Sequence, residues 1–168
     1  MKDYRATKRI VIAAMLAALI CVSTMIIKIP SPLKGYLNLG DGAVLLAGWL
    51  LPPVYGFLAA GLGSALADLF SGYAVYAPAT FVIKGLMALV AFYGVKLLRN
   101  TIGSLPSRII AGIVAEGVMI FGYFVFEGVL YGFAAASVNI LPNGAQGVAG
   151  LVLGCVLMKG FEKSRISL

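Results

Sequence analysis

Residues 73–92 read YAVYAPATFVIKGLMALVAF, an apolar run of helical length with one lysine inside it. Lys84 follows Phe81, Val82 and Ile83 and precedes Gly85, Leu86 and Met87, so it has no polar neighbour in the chain. About 20 mostly apolar residues cross a bilayer as a helix. A cation at that depth costs about 2.5–3.5 kcal/mol on insertion scales, and such residues face a cavity or a partner. The stretch thus decides two things together: the chain spans a membrane, and its interior contains something polar.

The rest of the sequence agrees. Of 168 residues, 61% are hydrophobic and 11% charged, and the mean hydropathy is +1.02, far from the balance of a water-soluble domain. Apolar stretches at 10–27, 41–51, 54–70, 77–98, 109–133 and 140–158 predict an all-α integral membrane protein with six transmembrane helices in a single membrane domain, 1–168. The second stretch rises only about 16 Å, half a bilayer, and Pro52 and Pro53 end it. It is a partial span or is lengthened by its flanking loop. The first run resembles a signal peptide, but its apolar core is long, and Lys28 and Pro30 stand where small residues would mark cleavage.

Lys2, Arg5, Lys8, Arg9, Lys96, Arg99, Arg108, Lys159, Lys163 and Arg165 fall on one side of these spans, and Lys28 and Lys34 on the other. Basic residues near span ends stay in the cytoplasm, so both termini are expected there. The net charge of +7 is this asymmetry, not a nucleic-acid surface. Several function classes drop out. The chain has no histidine, which removes His-based metal sites and Ser/His or Cys/His catalysis. GLGSALAD at 61–68 lacks the lysine of a phosphate loop, so no enzyme, bound cofactor or metal is expected, and ATP-driven work needs another subunit. Cys21 and Cys155 lie in apolar runs and read as packing residues.

Four acids and bases fall within the spans. Lys84 lies six residues after Pro78 and Glu127 six before Phe133, each about 9 Å below the outer surface. At matching depth they form either a structural ion pair or the floor of a pocket open to the outside; the pocket explains better why a pair that gains little net stability is present. Glu116 lies eleven residues before Glu127, on one stripe of span five with Ile120 and Tyr123. Asp68 sits near the outer end of span three as a local cap or pair. Thr80 is one turn above Lys84, and Asn139, Asn143 and Gln146 form a polar stripe at the outer end of the last span, giving way to Gly147, Gly150 and Gly154. Their amides suit the edge of a heterocycle. Tyr73, Tyr76, Tyr123, Tyr131 and Trp49 offer flat surfaces, although tyrosines at span ends also form interfacial belts. The connector KIPSPLKGYLNLGDG, 28–42, is a candidate lid, and FSGYAVYAP (70–78) and SVNILPNGAQ (137–146) emerge beside it.

Span one contains AAMLAAL, with Ala13 and Ala17, and Ala14 and Ala18, at four-residue spacing, a pattern that lets helices approach closely in lipid. GFLAAGLGSALA, 56–67, is equally rich in small residues, for internal packing or sliding.

With these features in place, the chain resembles the substrate-binding S component of energy-coupling factor (ECF) vitamin transporters. The resemblance rests on six spans, the alanine pairs, the long first outer loop, YLNLGDGAVLLAG and LADLFSGYAVYAPATFVIKG, and points to the riboflavin-type and hydroxymethylpyrimidine-type branch. It implies capture of a vitamin or precursor by the first loop, with Tyr36 and Asn38, and by Tyr76, Thr80, Lys84, Tyr123, Glu127, Asn139, Asn143 and Gln146. It also implies docking through Ala13 and Ala17, with Ala14 and Ala18 beside them, onto a membrane scaffold coupled to two cytosolic ATPases. A cation, a carboxylate and three amides favour a small heterocycle, pyridoxine-like or hydroxymethylpyrimidine-like, over riboflavin. A stand-alone proton-coupled secondary transporter using Glu116 and Glu127 is the rival from another class.

Overall fold

The computed structural model describes residues 2–31 and 35–164; Lys34 and Arg165, two of the counted cations, lie outside them. The chain runs α1 (Lys2–Ile26), β1 (Lys28–Pro30), β2 (Tyr36–Asn38), α2 (Asp41–Leu50), α3 (Pro53–Phe70), α4 (Ala77–Ile102), α5 (Ser104–Tyr131), the single turn α6 (Phe133–Ala136), a 3-10 turn (Ser137–Asn139) and α7 (Ile140–Lys163). Among the described residues, the expected six spans become five helices long and apolar enough to cross a membrane and one, α2, of ten residues.

Local chemistry sets the breaks. Pro53 occupies the first turn of α3 and Pro78 that of α4, where the missing amide proton costs nothing. Gly103 alone joins α4 to α5 and Gly132 joins α5 to α6, at φ of 85° and 90°, a region that residues with a Cβ avoid. One-residue joints of this kind fold long helices back on themselves.

The long helices form an arc in which α1 packs on α3, α3 on α4, α4 on α5 and α5 on α7, while α2 sits inside and touches α1, α3, α4, α5 and α7. Asp41 to Gly48 of α2 are all buried, as expected of a helix apolar on every side. Small residues bring its backbone close to its neighbours. A Cβ at Gly42 would stand 3.0 Å from the Gly154 nitrogen of α7, and one at Gly48 2.6 Å from the Ala88 carbonyl of α4. The 56–67 run packs internally as well, Gly61 against Phe81 and Gly63 against Ala17. Outward faces carry large apolar side chains such as Met15, Val22, Phe121, Val129 and Leu141.

The 28–42 connector departs from an all-α description. Lys28–Pro30 and Tyr36–Asn38 pair antiparallel as a short hairpin, with Ile29 opposite Leu37. The second strand then leads into the bundle: a Cβ at Gly150, ten residues into α7, would meet the Asp41 Cβ at 2.6 Å, so α2 begins about 15 Å below the start of α7. At the opposite end, where both ends of the described chain lie, Arg108 of α5 pairs with Glu162 of α7 at 2.7 Å.

Candidate functional site

A recess lies at the hairpin end of the bundle, with about 410 Å³ of empty space when its open mouth is counted. The hairpin contributes Ser31, Gly35, Tyr36 and Asn38; the end of α3 contributes Asp68; the 71–76 turn and first turn of α4 contribute Tyr73, Tyr76 and Thr80. Tyr123 and Glu127 of α5 and Asn139, Asn143 and Gln146 before and within α7 close it. Of the ten residues expected at a binding site, nine border this space, and Lys84 does not. Ser31, Gly35, Tyr73 and Asp68 join them; the sequence presents Tyr73 only as a flat surface and Asp68 only as a local cap or pair.

Polar contacts hold the walls. The Tyr36 hydroxyl donates to Asp68 Oδ1 at 2.7 Å, and its ring lies 4.6 Å from that of Tyr73, centroid to centroid. Lys28 Nζ donates to Ser71 Oγ at 3.0 Å and sits 5.9 Å from the centre of the Tyr36 ring, fastening the hairpin to the turn after α3. Burial first, and the Asp68 carboxylate second, push the Tyr36 hydroxyl's pKa up, so it remains a donor. Burial, then Glu127, do the same for Tyr76. On the facing wall Asn139 Nδ2 donates to both Glu127 oxygens, at 2.9 and 3.0 Å, and the Tyr76 hydroxyl to Glu127 Oε1 at 3.3 Å. Thr80 Oγ1 and the Tyr123 hydroxyl share a bond of 2.9 Å.

The cation lies below this layer. Lys84 Nζ pairs with Asp41 Oδ1, with the two side chains 3% and 0% exposed. It also lies 5.5 Å from the centre of the Tyr123 ring. This corrects the expected pairing with Glu127. Equal depth along two helices does not bring two side chains to the same side, and Asp41 sits on α2, the helix the others surround. Gln146 completes the group: Nε2 donates to Asp41 Oδ2 at 2.7 Å and Oε1 accepts from the Asn38 amide at 2.8 Å. Asn38 Oδ1 in turn accepts from the Gly40 amide at 2.9 Å. The second strand is therefore tied to α7, and α7 to the buried ion pair, through one glutamine.

Glu116 lies deeper on the inner stripe, facing Gly147 and Gly150 of α7, and neither of its oxygens has a partner among the described residues. It borders no part of the cavity. The alanine pairs separate. Ala13 and Ala17 pack against the core, where a Cβ at Gly63 would come 2.5 Å from the Ala17 carbonyl, while Ala14 and Ala18 are exposed. Of the four alanines expected at the partner interface, Ala17 is approached by α3 and Ala13 is partly buried against the core, which leaves Ala14 and Ala18 as the exposed pair.

Comparison with known proteins bears on this arrangement. A family model described as "ECF-type riboflavin transporter, S component" matches residues 5–163. A protein of Pyrococcus woesei, described as an uncharacterized protein in gap 3'region, is 38% identical over 137 residues, which are 80% of this chain and 88% of that one. A solved structure described as "Structure and mechanism of the S component of a bacterial ECF transporter" superposes with a TM-score of 0.75 at 27% identity, covering 94% of this chain and 97% of that one.

Proposed function

Because the chain belongs to the family of ECF-type riboflavin transporter S components, a family of membrane-embedded transport subunits and not of enzymes, we propose that the cavity at its hairpin end captures the vitamin or precursor the transporter carries. The observation that carries this reading is the convergence of the first connector, α3, α4, α5 and α7 on one polar recess. The family implies association with a membrane scaffold and ATPase modules. Orientation follows the charge asymmetry, with the basic end and termini in the cytoplasm and the cavity outside. Docking uses the exposed Ala14 and Ala18 side of α1, and ATP is hydrolysed by partner subunits.

The substrate class we favour is a small heterocycle rich in hydroxyl or amino donors, of the pyridoxine or hydroxymethylpyrimidine kind. Supporting it is the wall chemistry: carboxylates at Asp68 and Glu127 and amides at Asn38, Asn139, Asn143 and Gln146, with the Lys84 cation already consumed by Asp41. Riboflavin is the second reading, favoured by the family's description and by the close Tyr36 and Tyr73 rings, which offer a face for a flavin to stack on.

Mass spectrometry of small molecules released from the purified protein, followed by calorimetric titration with each candidate, tests the reading. A bound vitamin, with uptake into proteoliposomes that requires the ATPase module, is the expected result. Uncoupler-sensitive uptake by this chain alone would instead favour proton coupling through Glu116 and Glu127 and refute it.

A further inference from the structure

Gln146 of α7 borders the recess, yet both of its polar atoms are engaged by other groups of the protein. Nε2 donates to Asp41 Oδ2 at 2.7 Å, Oε1 accepts from the Asn38 amide at 2.8 Å, and the residue is 5% exposed. The two bonds grip the chain at either end of one elbow, where the second strand turns into α2. That elbow has little slack. The Gly40 amide donates to Asn38 Oδ1, the Gly40 carbonyl accepts from the Ala43 and Val44 amides at 3.0 Å, and a Cβ at Gly40 would overlap Thr24 Oγ1 of α1. The direction of the glutamine amide is set from below. Lys84 takes Asp41 Oδ1, which leaves Oδ2 to Gln146, and a carboxylate accepts only, so the amide turns its nitrogen to Asp41 and its oxygen to the strand. Reversed, it would set oxygen against carboxylate and nitrogen against an N–H, leaving buried groups unpaired.

We propose that Gln146 is a positioning residue of the recess: Asp41, inside the bundle, fixes the direction of its amide, and the amide fixes the hairpin that forms one wall. Each strand of that hairpin has only three residues, and a two-stranded ribbon is marginal on its own. Its other fastenings, Tyr36 to Asp68 and Lys28 to Ser71, hold it to the end of α3 and the turn that follows. Gln146 supplies the hold on α7, and through Asp41 and Lys84 that hold reaches α2 and α4. A charge pair buried in the bundle thereby governs how often an outer segment opens. For its consequence, the rate at which a captured molecule enters and leaves, the inference rests on the capture reading above.

The test needs no ligand, so it decides this inference separately from capture, which the released-molecule spectrometry reads. Amide hydrogen exchange of the full chain in detergent is followed at Asn38 and across both strands, with α3, α4 and α5 as the internal check on folding. Gln146→Leu should speed exchange at Asn38 and in the strands by about tenfold or more and leave those helices unchanged; Gln146→Met, of similar length, gives the same reading if the leucine variant does not fold. The decisive comparison strands no charge, since a buried pair replaced by apolar side chains of similar volume is tolerated. Combined with Lys84→Met, Asp41→Asn keeps an oxygen for Nε2 and should keep exchange slow, whereas Asp41→Leu removes that oxygen and should speed exchange nearly as far as Gln146→Leu does. Adding Gln146→Leu to Lys84→Met with Asp41→Leu should then change little. A folded Gln146→Leu protein that exchanges like the wild type overturns the inference, as do Asp41→Asn and Asp41→Leu proteins that exchange alike. Losses that add in the triple variant overturn it too, because the hold would then run through the backbone of α2 and not through the glutamine.

Discussion

Replacing Lys84 with methionine removes the cation from a pair whose members are 3% and 0% exposed and leaves Asp41, on a helix buried from Asp41 to Gly48, without its counter-charge. Breaking a buried pair from one side costs about 3–5 kcal/mol, mostly the penalty of the stranded charge. For a chain of this size that lowers the melting temperature by about 6–20 °C. Asp41→Asn strands the ammonium instead and should cost a similar amount, with the Gln146 bond retained by the asparagine oxygen. The double variant, Lys84→Met with Asp41→Asn, strands no charge and should recover more than half of the summed loss, a coupling of about 3 kcal/mol or more between residues 43 apart in sequence. Thermal unfolding in detergent, followed through Trp49 fluorescence, measures all four proteins. A Lys84→Met protein as stable as the wild type, or additive single losses, would refute the claim that these two charges neutralise each other inside the bundle. A Glu127→Gln protein, by contrast, should show no coupling to Lys84→Met.

Other outcomes follow from the same contacts. Gly63→Val should destabilise the chain by about 1–3 kcal/mol, because its side chain meets the Ala17 backbone, whereas Gly117→Ala, with open space around it, should leave the melting temperature unchanged. Ala18→Trp should preserve ligand binding and melting temperature but abolish co-purification with the scaffold, while Ala17→Trp should lower the melting temperature by pushing α1 off α3. Glu127→Ala releases Asn139 and Tyr76 together and should weaken ligand binding by about tenfold or more in titrations, with the protein still inserted in membranes.

Hydropathy made the long helices legible because burial in lipid demands long apolar runs, and proline marks the starts of α3 and α4 because its chemistry is local; at their polar ends the helices outrun the apolar stretches, α5 starting at Ser104 and α7 running to Lys163. The short stretch at 41–51 was equally visible, but its place at the centre was not, since nothing in a ten-residue run says what surrounds it. Lys84 illustrates the limit. Counting residues from helix ends gives depth, and depth admitted Glu127; the partner is Asp41, which reads along the chain as the polar edge of a loop. The outer-end residues Thr80, Asn139, Asn143 and Gln146 were recognisable because amides and hydroxyls at one end of apolar helices have few other places to go. Asp68 reads along the chain only as a local cap or pair, because an acid at a helix terminus is ordinarily explained by that terminus. The two alanine pairs differ by one residue, and only the rotation of α1 about its axis tells which pair α3 covers.

The enclosed helix also bears on how the chain is made. A ten-residue segment opening with an aspartate cannot partition into lipid on its own when it leaves the ribosome and meets the insertion machinery. Its counter-ion is synthesised 43 residues later, after α3 and the start of α4. The nascent α2 must therefore stay in a watery or protein-lined environment until α4 arrives, and membrane entry of this protein is completed by folding, not by serial release of finished spans.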